Sequence, residues 1–409
     1  MTVKQKVLLV FAAAIPAAVF ASTLSQTADY GVGTASGDSP ALTIAALLQG
    51  HFAAAASVQP FMGLTSILLR LPAVEVGSAL GGGLPLEYQL GAFICGWVVA
   101  VVAFFAARRM LRPGASRLIV GVTALLMAIS PLALGTQLDG HPEELLGGAL
   151  CVAAVLAAID DRSVAAGVLL GLAFGTKEWA LIAAFPAFLA CRHHRWRLLV
   201  IAALVGAPLV LTLPLADPGA FARAAHTIGA ARSVYPRSWW WPLSLRHTVS
   251  IGTPPVTFIV ANLPFHLTRT GVSWLPVAAA LPLSWCAVRF RRGVERVDPF
   301  ALLALLLLLR CTLDPEFVSY YLVPAVMALL AWEGVSRPGR LPVGSLLAIT
   351  LFWFCQRQTA LPKIFWDELL CTVGLTIYLS IATFRPPEAK PPAWAIVQLP
   401  QLRLKLRRA

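Results

Sequence analysis

Long apolar runs, separated by short polar turns, constrain the fold of this chain more than any other feature. A helix needs about 20 apolar residues to cross a bilayer, and about twelve apolar runs occur among the 409 residues, several of them shorter than that, notably 163–176 and 178–191. Only 12% of the residues are charged, which is about half the share found in soluble proteins. The sequence therefore predicts an all-α fold, a polytopic transmembrane helical bundle of about twelve spans. The runs cover approximately residues 6–24, 88–107, 117–135, 143–159, 163–176, 178–191, 197–215, 273–289, 298–312, 316–333, 341–355 and 367–384.

Basic residues lie at the ends of these runs rather than on one face suited to nucleic acid, so nucleic acid is not an expected partner. With the N-terminus inside, the inner segments hold 22 of the 32 Lys and Arg residues. This asymmetry follows the positive-inside rule and predicts that both termini are cytoplasmic. The first run is interpreted as a retained span, with a signal peptide ending at Ala21 as the alternative. Residues 1–384 then form a single transmembrane domain, and 385–409 form a basic cytoplasmic tail that anionic lipids attract.

Acidic residues gather on the opposite, outer side. That side holds 13 of the 19 Asp and Glu residues and both long connections, 25–87 and 216–272. Ionisable groups are costly near a membrane and mark functional sites there. The sequence therefore indicates chemistry at the outer face.

Two short helices are expected in the first of these outer segments. Ser39 and Pro40 are typical of a helix start, and Gly50 is typical of a helix end. A second helix is expected to begin at Pro60 and to end near Arg70. Both helices are too short to cross the bilayer, so they are expected to lie in the membrane interface.

The stretch GTQLDGHPEELLGGAL places four ionisable groups between two apolar runs. Pro142 suits the first turn of a helix, and Glu143 and Glu144 complement the positive end of a helix dipole. Helix capping does not account for Asp139 and His141. The sequence therefore also predicts a substrate-binding role here, in which sugar hydroxyls are recognised by Asp139, His141 and Glu143.

The seven cysteines lie in or at the ends of the apolar runs. None of them has the spacing of metal ligands, and they are interpreted as small packing residues. The sequence predicts no cofactor and gives no support for a divalent metal.

Two segments and the general layout resemble a known family. GVLLGLAFGTKEWALIAAFPAFLA is similar to the Gly-x-x-x-Gly-Leu-Ala…Lys…Pro segment of actinobacterial polyprenol-phosphate-mannose-dependent mannosyltransferases. LDPEFVSYYLVP resembles the acid-aromatic opening of a late span in the same group. The early outer acid, the interfacial helices and the uneven spans are similar to those of GT-C glycosyltransferases. The chain departs from the family in its first outer segment, which has no paired Asp-Asp or Asp-x-Asp but only Asp29 and Asp38.

The resemblance implies a membrane enzyme that transfers a sugar from a polyprenyl-phosphate donor to a lipid or cell-envelope glycan acceptor, with inversion. The sugar would be mannose or another hexose or pentose. The enzyme would be a multi-pass protein of the bacterial plasma membrane, surrounded by membrane lipids, with its active site facing outward.

Inverting transfer needs a base that takes the proton of the acceptor hydroxyl. Asp38 is the candidate that the resemblance implies, and Asp29 is the other acid of the same segment. The alternative for Asp38 is a structural one, in which its carboxylate only stabilises the start of the interfacial helix.

Further polar residues are candidates for substrate contacts. The resemblance implies that Lys177 contacts the donor phosphate, and the alternative is a lysine that snorkels or pairs with an acid at the interface. Arg310 has the same two interpretations. The segment YPRSWWWPL is typical of an interfacial aromatic belt, with a sugar-stacking platform as the alternative. Candidates for contacts with the sugar are His51, Gln59, Tyr320 and Tyr321.

A multi-span secondary transporter or a lipid flippase is the alternative function. Such proteins bind their substrates near the bilayer midplane. Charged residues are nearly absent from the middle of the apolar runs and lie instead at their ends. This distribution favours chemistry at the interface over transport through the bundle.

Overall fold

A computed structural model describes residues 41–58, 63–81, 83–138, 141–229, 233–251, 256–356 and 361–385. These residues are mostly helical, which confirms the predicted helical bundle, while the number of spans and the topology stay predictions. Six of the described helices are long and apolar enough to cross a membrane: Leu90–Met110, Arg117–Gln137, Pro142–Ile159, Arg195–Ala216, Arg269–Arg291 and Phe365–Phe384. Shorter apolar helices are Ser163–Phe174, Glu178–Ala190, Pro299–Leu313, Leu322–Ser336 and Val343–Cys355.

The α-helices are numbered here in chain order. They are α1 (Ala41–Leu48), α2 (Phe52–Val58), α3 (Leu64–Ala79), α4 (Gly83–Met110), α5 (Arg117–Ile129), α6 (Pro131–Leu138), α7 (Pro142–Ile159), α8 (Ser163–Phe174), α9 (Ala184–Ala190), α10 (Arg195–Ala216), α11 (Pro218–Gly229), α12 (Arg269–Ser273), α13 (Leu275–Arg291), α14 (Pro299–Leu313), α15 (Leu322–Ser336), α16 (Val343–Gln356) and α17 (Leu361–Phe384). Short 3-10 helices are Glu178–Ala183, Trp241–Leu243, Val294–Arg296 and Ser319–Tyr321.

The prediction for the first outer segment was wrong in its details. The first expected helix corresponds to α1, but a further helix, α2, follows it after Gly50. The next helix, α3, begins at Leu64 and continues past Arg70 to Ala79, with Pro72 inside it. Arg70 therefore lies inside α3 rather than at its end. Its side chain is buried and pairs with an acid from another helix.

The expectation of an all-α fold also needs correction. Two strands, β1 (Leu245–Ile251) and β2 (Val256–Asn262), form an antiparallel pair within residues 216–272, the second segment that the sequence predicts to be outside. Leu245 pairs with Asn262 at its base. The β-branched residues of these strands favour extended backbone, but the runs are too short and too polar to stand out beside the apolar spans.

The centre of the bundle is formed by α7, α14 and α15, which are buried on nearly all sides. The last two have 15 residues each, fewer than the roughly 20 that a lipid-facing span needs. Because protein surrounds them, their shortness does not create a mismatch with the lipid.

Helices α8 and α10 approach each other closely through small residues. A Cβ atom added at Gly167 would lie 2.6 Å from the carbonyl oxygen of Leu198, and one at Gly171 would lie 2.7 Å from that of Ala202. Small residues four apart let helix backbones meet in membranes. The glycines of the GVLLGLAFG segment are therefore explained first by packing.

Candidate functional site

A backbone junction brings the start of α3 against the turn that follows α8. The Gly63 amide donates to the Thr176 carbonyl at 2.7 Å, and the Thr65 amide donates to the Gly175 carbonyl at 2.9 Å. A side chain at Gly63 would collide with the Gly175 carbonyl. This junction carries α3 toward the turn that holds Lys177, so that both segments contribute cations to one cluster.

Glu143 lies in the first turn of α7 and is completely buried. Its Oε2 accepts a hydrogen bond from the Arg70 guanidinium at 3.2 Å. Its Oε1 lies 3.0 Å from Nδ1 of His141 and 3.8 Å from Nζ of Lys177. The carboxylate therefore connects Arg70 of α3, His141 just before α7 and Lys177 in the turn after α8.

Glu144, the next residue of α7, is equally buried and has different partners. The Arg310 guanidinium donates to both of its oxygens, each at 3.3 Å. Trp179 donates its indole N–H to Oε1 at 3.4 Å, and Nζ of Lys177 is 3.7 Å from the same oxygen. Gly147 leaves room for the Trp179 ring, which would lie 3.2 Å from an added Cβ.

These contacts form what we call the ion cluster: Arg70, Glu143, Glu144, Lys177 and Arg310. Removing a carboxylate from water costs several kcal/mol, which only close opposite charges and hydrogen bonds offset. Both carboxylates have such partners. Three basic side chains and two carboxylates thus meet in one buried space among the described residues.

Aromatic rings lie against the ion cluster on the side of His141 and Arg310. The His141 ring stacks on Tyr320 with centroids 3.9 Å apart, and Tyr320 meets Tyr321 edge to face. The Arg310 guanidinium lies over the Tyr321 ring at 3.9 Å.

A cavity of about 480 Å³ lies in front of the ion cluster and the aromatic rings. Its volume is that of a small-molecule site. The residues that line it are His141, Lys177, Glu178, Trp179, Tyr235, Arg269, Thr270, Ser273, Trp274, Pro276, Val277, Arg310, Asp314, Glu316, Val318, Tyr320 and Tyr321.

The far wall of the cavity is built by residues of the 216–272 segment. The Tyr235 amide donates to the Pro315 carbonyl at 2.9 Å, and Ser238 donates its hydroxyl to the Asp314 carbonyl at 2.9 Å. The Arg269 guanidinium is 2.7 Å from the Glu316 carboxylate. These contacts attach the segment to the turn between α14 and α15.

Two of the three tryptophans of the YPRSWWWPL segment donate their indole N–H groups to other elements of the protein. Trp239 donates to the Thr372 hydroxyl at 3.3 Å, and Trp240 donates to the Leu313 carbonyl at 2.8 Å. Tyr235 is the residue of this segment that lines the cavity.

The structure brings five of the predicted site residues to the cavity. They are His141, Lys177, Arg310, Tyr320 and Tyr321. Glu143 lies behind the cavity wall in the ion cluster. His51 is exposed between α1 and α2 and does not line the cavity. Three further residues, Asp38, Gln59 and Asp139, lie outside the described residues.

Sequence analysis did not identify several residues of the site. Arg70 and Arg269 were not recognised as site residues, nor was Trp179. An arginine inside an apolar segment itself indicates a functional role or an ion pair. The sequence around Arg70 contains this signal. Nothing in the sequence indicated the partners of these residues, because they come from distant elements.

The described part of the chain has no group of three or more His, Cys, Asp or Glu side chains placed to hold a metal ion. Comparison with known proteins gives no matching family model and no matching curated protein. Among solved structures, the crystal structure of ArnT from Cupriavidus metallidurans bound to undecaprenyl phosphate is similar to this chain. The TM-score is 0.48 and the sequence identity 15%, over 94% of this chain and 77% of that one. The function proposed below therefore rests on the geometry of the site and not on this likeness.

Proposed function

We propose that this protein is a membrane glycosyltransferase that takes a sugar from a polyprenyl-phosphate donor. The observation that carries the proposal is the position of Lys177 and Arg310, which belong to a buried ion cluster and also line a cavity. A site for a lipid-linked phosphate needs such cations beside space for the group to be transferred.

The phosphate of the donor gains negative charge as the bond to the sugar breaks. Cations fixed in a partly dry site stabilise such a charge more than water does, because the low dielectric strengthens the attraction. Arg310 is held by Glu144 and contributes a fixed positive field. Lys177 lies 3.7 and 3.8 Å from the two carboxylates and also lines the cavity, and it is the residue we assign to the phosphate.

The remaining lining suits a sugar. Asp314, Glu316 and Glu178 supply carboxylates that accept hydrogen bonds from hydroxyl groups, and Tyr320 and Trp274 supply ring faces and edges. A polyhydroxyl group with apolar faces is recognised by this combination of acceptors and aromatic rings.

The finer assignments derive from the sequence resemblance. We propose mannose or another hexose or pentose as the sugar, a lipid or cell-envelope glycan as the acceptor, inversion at the anomeric carbon, and an outward-facing site in the bacterial plasma membrane. The role of Asp38 as general base stays a prediction, as do the substrate contacts proposed for Asp139, Gln59 and His51.

The test is transfer by the purified full-length protein in liposomes. The protein would be incubated with radiolabelled polyprenyl-phosphate sugars, mannose first, together with a lipid extract as the source of acceptors. We expect label to move from the donor to a new lipid or glycan product. Movement of intact donor between leaflets, without any new product, would contradict the proposal and support a flippase.

A further inference from the structure

We propose that Nε2 of His141 is the atom that accepts the proton of the acceptor hydroxyl, with the buried Glu143 holding the ring in place. This inference rests on the proposed function, and it gives His141 the step for which the sequence resemblance implies Asp38, which is the competing assignment. His141 precedes α7 and makes no capping hydrogen bond with its side chain. Its Nδ1 contacts Glu143 instead, and the residue lines the cavity.

The hydrogen bond to Glu143 determines which ring nitrogen can take a proton. Nδ1 lies 3.0 Å from Glu143 Oε1, and an ionised carboxylate only accepts hydrogen bonds. Arg70 and Lys177 flank that carboxylate with positive charge. Nδ1 therefore carries the hydrogen of the neutral ring, and Nε2 keeps an open lone pair, as in other carboxylate-histidine pairs.

Contacts on the other sides fix the plane of the ring. The Tyr320 ring stacks on it at 3.9 Å with 22° between the planes. With one edge held by Glu143 and one face covered by Tyr320, the edge that carries Nε2 is the one left to line the cavity. A base with a fixed orientation needs little reorganisation when the reaction occurs.

The position of His141 also suits the proposed donor. Because Nδ1 of His141 and Nζ of Lys177 lie 3.0 and 3.8 Å from the same oxygen of Glu143, these nitrogens are within about 7 Å of each other. A phosphate at Lys177 and a hydroxyl at His141 would therefore be close enough to meet at a single anomeric carbon.

The proposed step transfers one proton and exchanges one bond at the anomeric carbon. The acceptor O–H gives its proton to Nε2, and its oxygen forms a bond to the anomeric carbon of the donor. The bond from that carbon to the phosphate oxygen breaks, and its electron pair leaves with the polyprenyl phosphate. Glu143 stabilises the imidazolium, Lys177 faces the phosphate, and the proton then passes from His141 to water.

The experiment compares His141→Ala with the unchanged protein in the liposome transfer assay. Loss of a general base lowers turnover by about 10²–10⁴-fold, whereas binding of the polyprenyl-phosphate sugar should change little. Added imidazole should restore part of the turnover, more so for imidazoles of higher pKa, because the small molecule takes the place of the missing ring. A purely structural role of His141 would give no such dependence.

Two further variants keep the test decisive. His141→Asn retains an N–H group near the position of Nδ1 for Glu143 but has no atom in place of Nε2, so it should fold and remain slow. His247→Ala, on the exposed strand β1, should keep normal turnover and show no response to imidazole.

Near-normal turnover in His141→Asn would overturn the inference, as would a slow His141→Ala that no imidazole restores. If Asp38→Asn also abolished transfer in that case, the base would be Asp38. If the unchanged protein transferred no sugar and bound no polyprenyl phosphate, the proposed function itself would fail, and this inference with it.

Discussion

Glu143 and Glu144 are neighbours in the sequence, yet they serve different halves of the site. Successive residues of a helix point about 100° apart, so one carboxylate meets Arg70 and His141 while the other meets Arg310 and Trp179. Lys177 lies close to both. Single substitutions can therefore separate the binding role of the cluster from its structural role.

The binding role is tested at Lys177. If its ammonium contacts the donor phosphate, Lys177→Gln should weaken donor binding by about 1.5–3 kcal/mol, which is roughly 10- to 150-fold in the dissociation constant. The measurement is displacement of a radiolabelled polyprenyl-phosphate sugar from the purified protein. Arg112→Gln, in the exposed turn after α4, is the control and should bind normally. If both variants bound the donor with equal affinity, Lys177 would be an interfacial anchor and not a ligand of the phosphate.

The structural role is tested at Glu144. In Glu144→Gln the buried Arg310 loses its charge partner, which typically costs about 3–5 kcal/mol, and the temperature of unfolding in detergent should fall. Glu75→Gln, at an exposed position of α3, should change stability by no more than about 0.5 kcal/mol.

The double variant Glu144→Leu with Arg310→Met checks the explanation. Replacing both charges by apolar groups removes the uncompensated ion, so stability should recover toward that of the unchanged protein. Transfer activity should not recover, because Arg310 is part of the proposed phosphate site. A double variant as unstable as Glu144→Gln would show that the loss comes from packing rather than from charge.

At the scale of elements, the contact between α8 and α10 decides where the Lys177 turn lies. A Cβ atom at Gly171 would be 2.7 Å from Val205 Cβ and 3.0 Å from the Gly206 amide nitrogen. Gly171→Ala should therefore push the helices apart and cost about 1–3 kcal/mol, as overpacking does.

The matched control for this prediction is Gly121→Ala in α5. An added Cβ there has no atom within 4 Å, and alanine stabilises a helix interior by about 0.5–1 kcal/mol relative to glycine. Thermal unfolding of both variants in the same detergent is the measurement. A Gly171→Ala protein at least as stable as Gly121→Ala would contradict the close packing of α8 and α10.

At the scale of the whole molecule, the prediction concerns orientation in the membrane. Helix α10 has 22 residues, so at 1.5 Å per residue it is about 33 Å long, close to the thickness of a bilayer core. The turn before it and the hairpin region after it are therefore expected on opposite sides. The basic-residue asymmetry places the hairpin outside.

Cysteine labelling tests this orientation in a background without the seven native cysteines. A membrane-impermeant maleimide should label His247→Cys on β1 in intact cells, and should label Arg192→Cys only after the membrane is opened. Both positions are exposed. Labelling of Arg192→Cys in intact cells with protection of His247→Cys would reverse the topology and place the cavity on the inner side.

The sequence by itself determined that this chain is a bundle of membrane helices. Backbone groups in lipid have no water to bond, so long apolar runs must become helices, and each run from 88–107 to 367–384 corresponds to helical structure. The same local signals identified five cavity residues, because polar groups at the ends of apolar runs are costly and therefore informative.

Only the tertiary structure decided how those residues meet. Arg70 and Glu143 are 73 positions apart, and Glu144 and Arg310 are 166 apart, so neither pair leaves a trace in local periodicity. The close approach of Gly63 to Gly175 and the attachment of the Tyr235 segment to the turn at Pro315 likewise depend on which helices become neighbours. Apolar burial and hydrogen bonding select helices within each segment, but the ion cluster forms only when packing brings opposite charges into the same low-dielectric space.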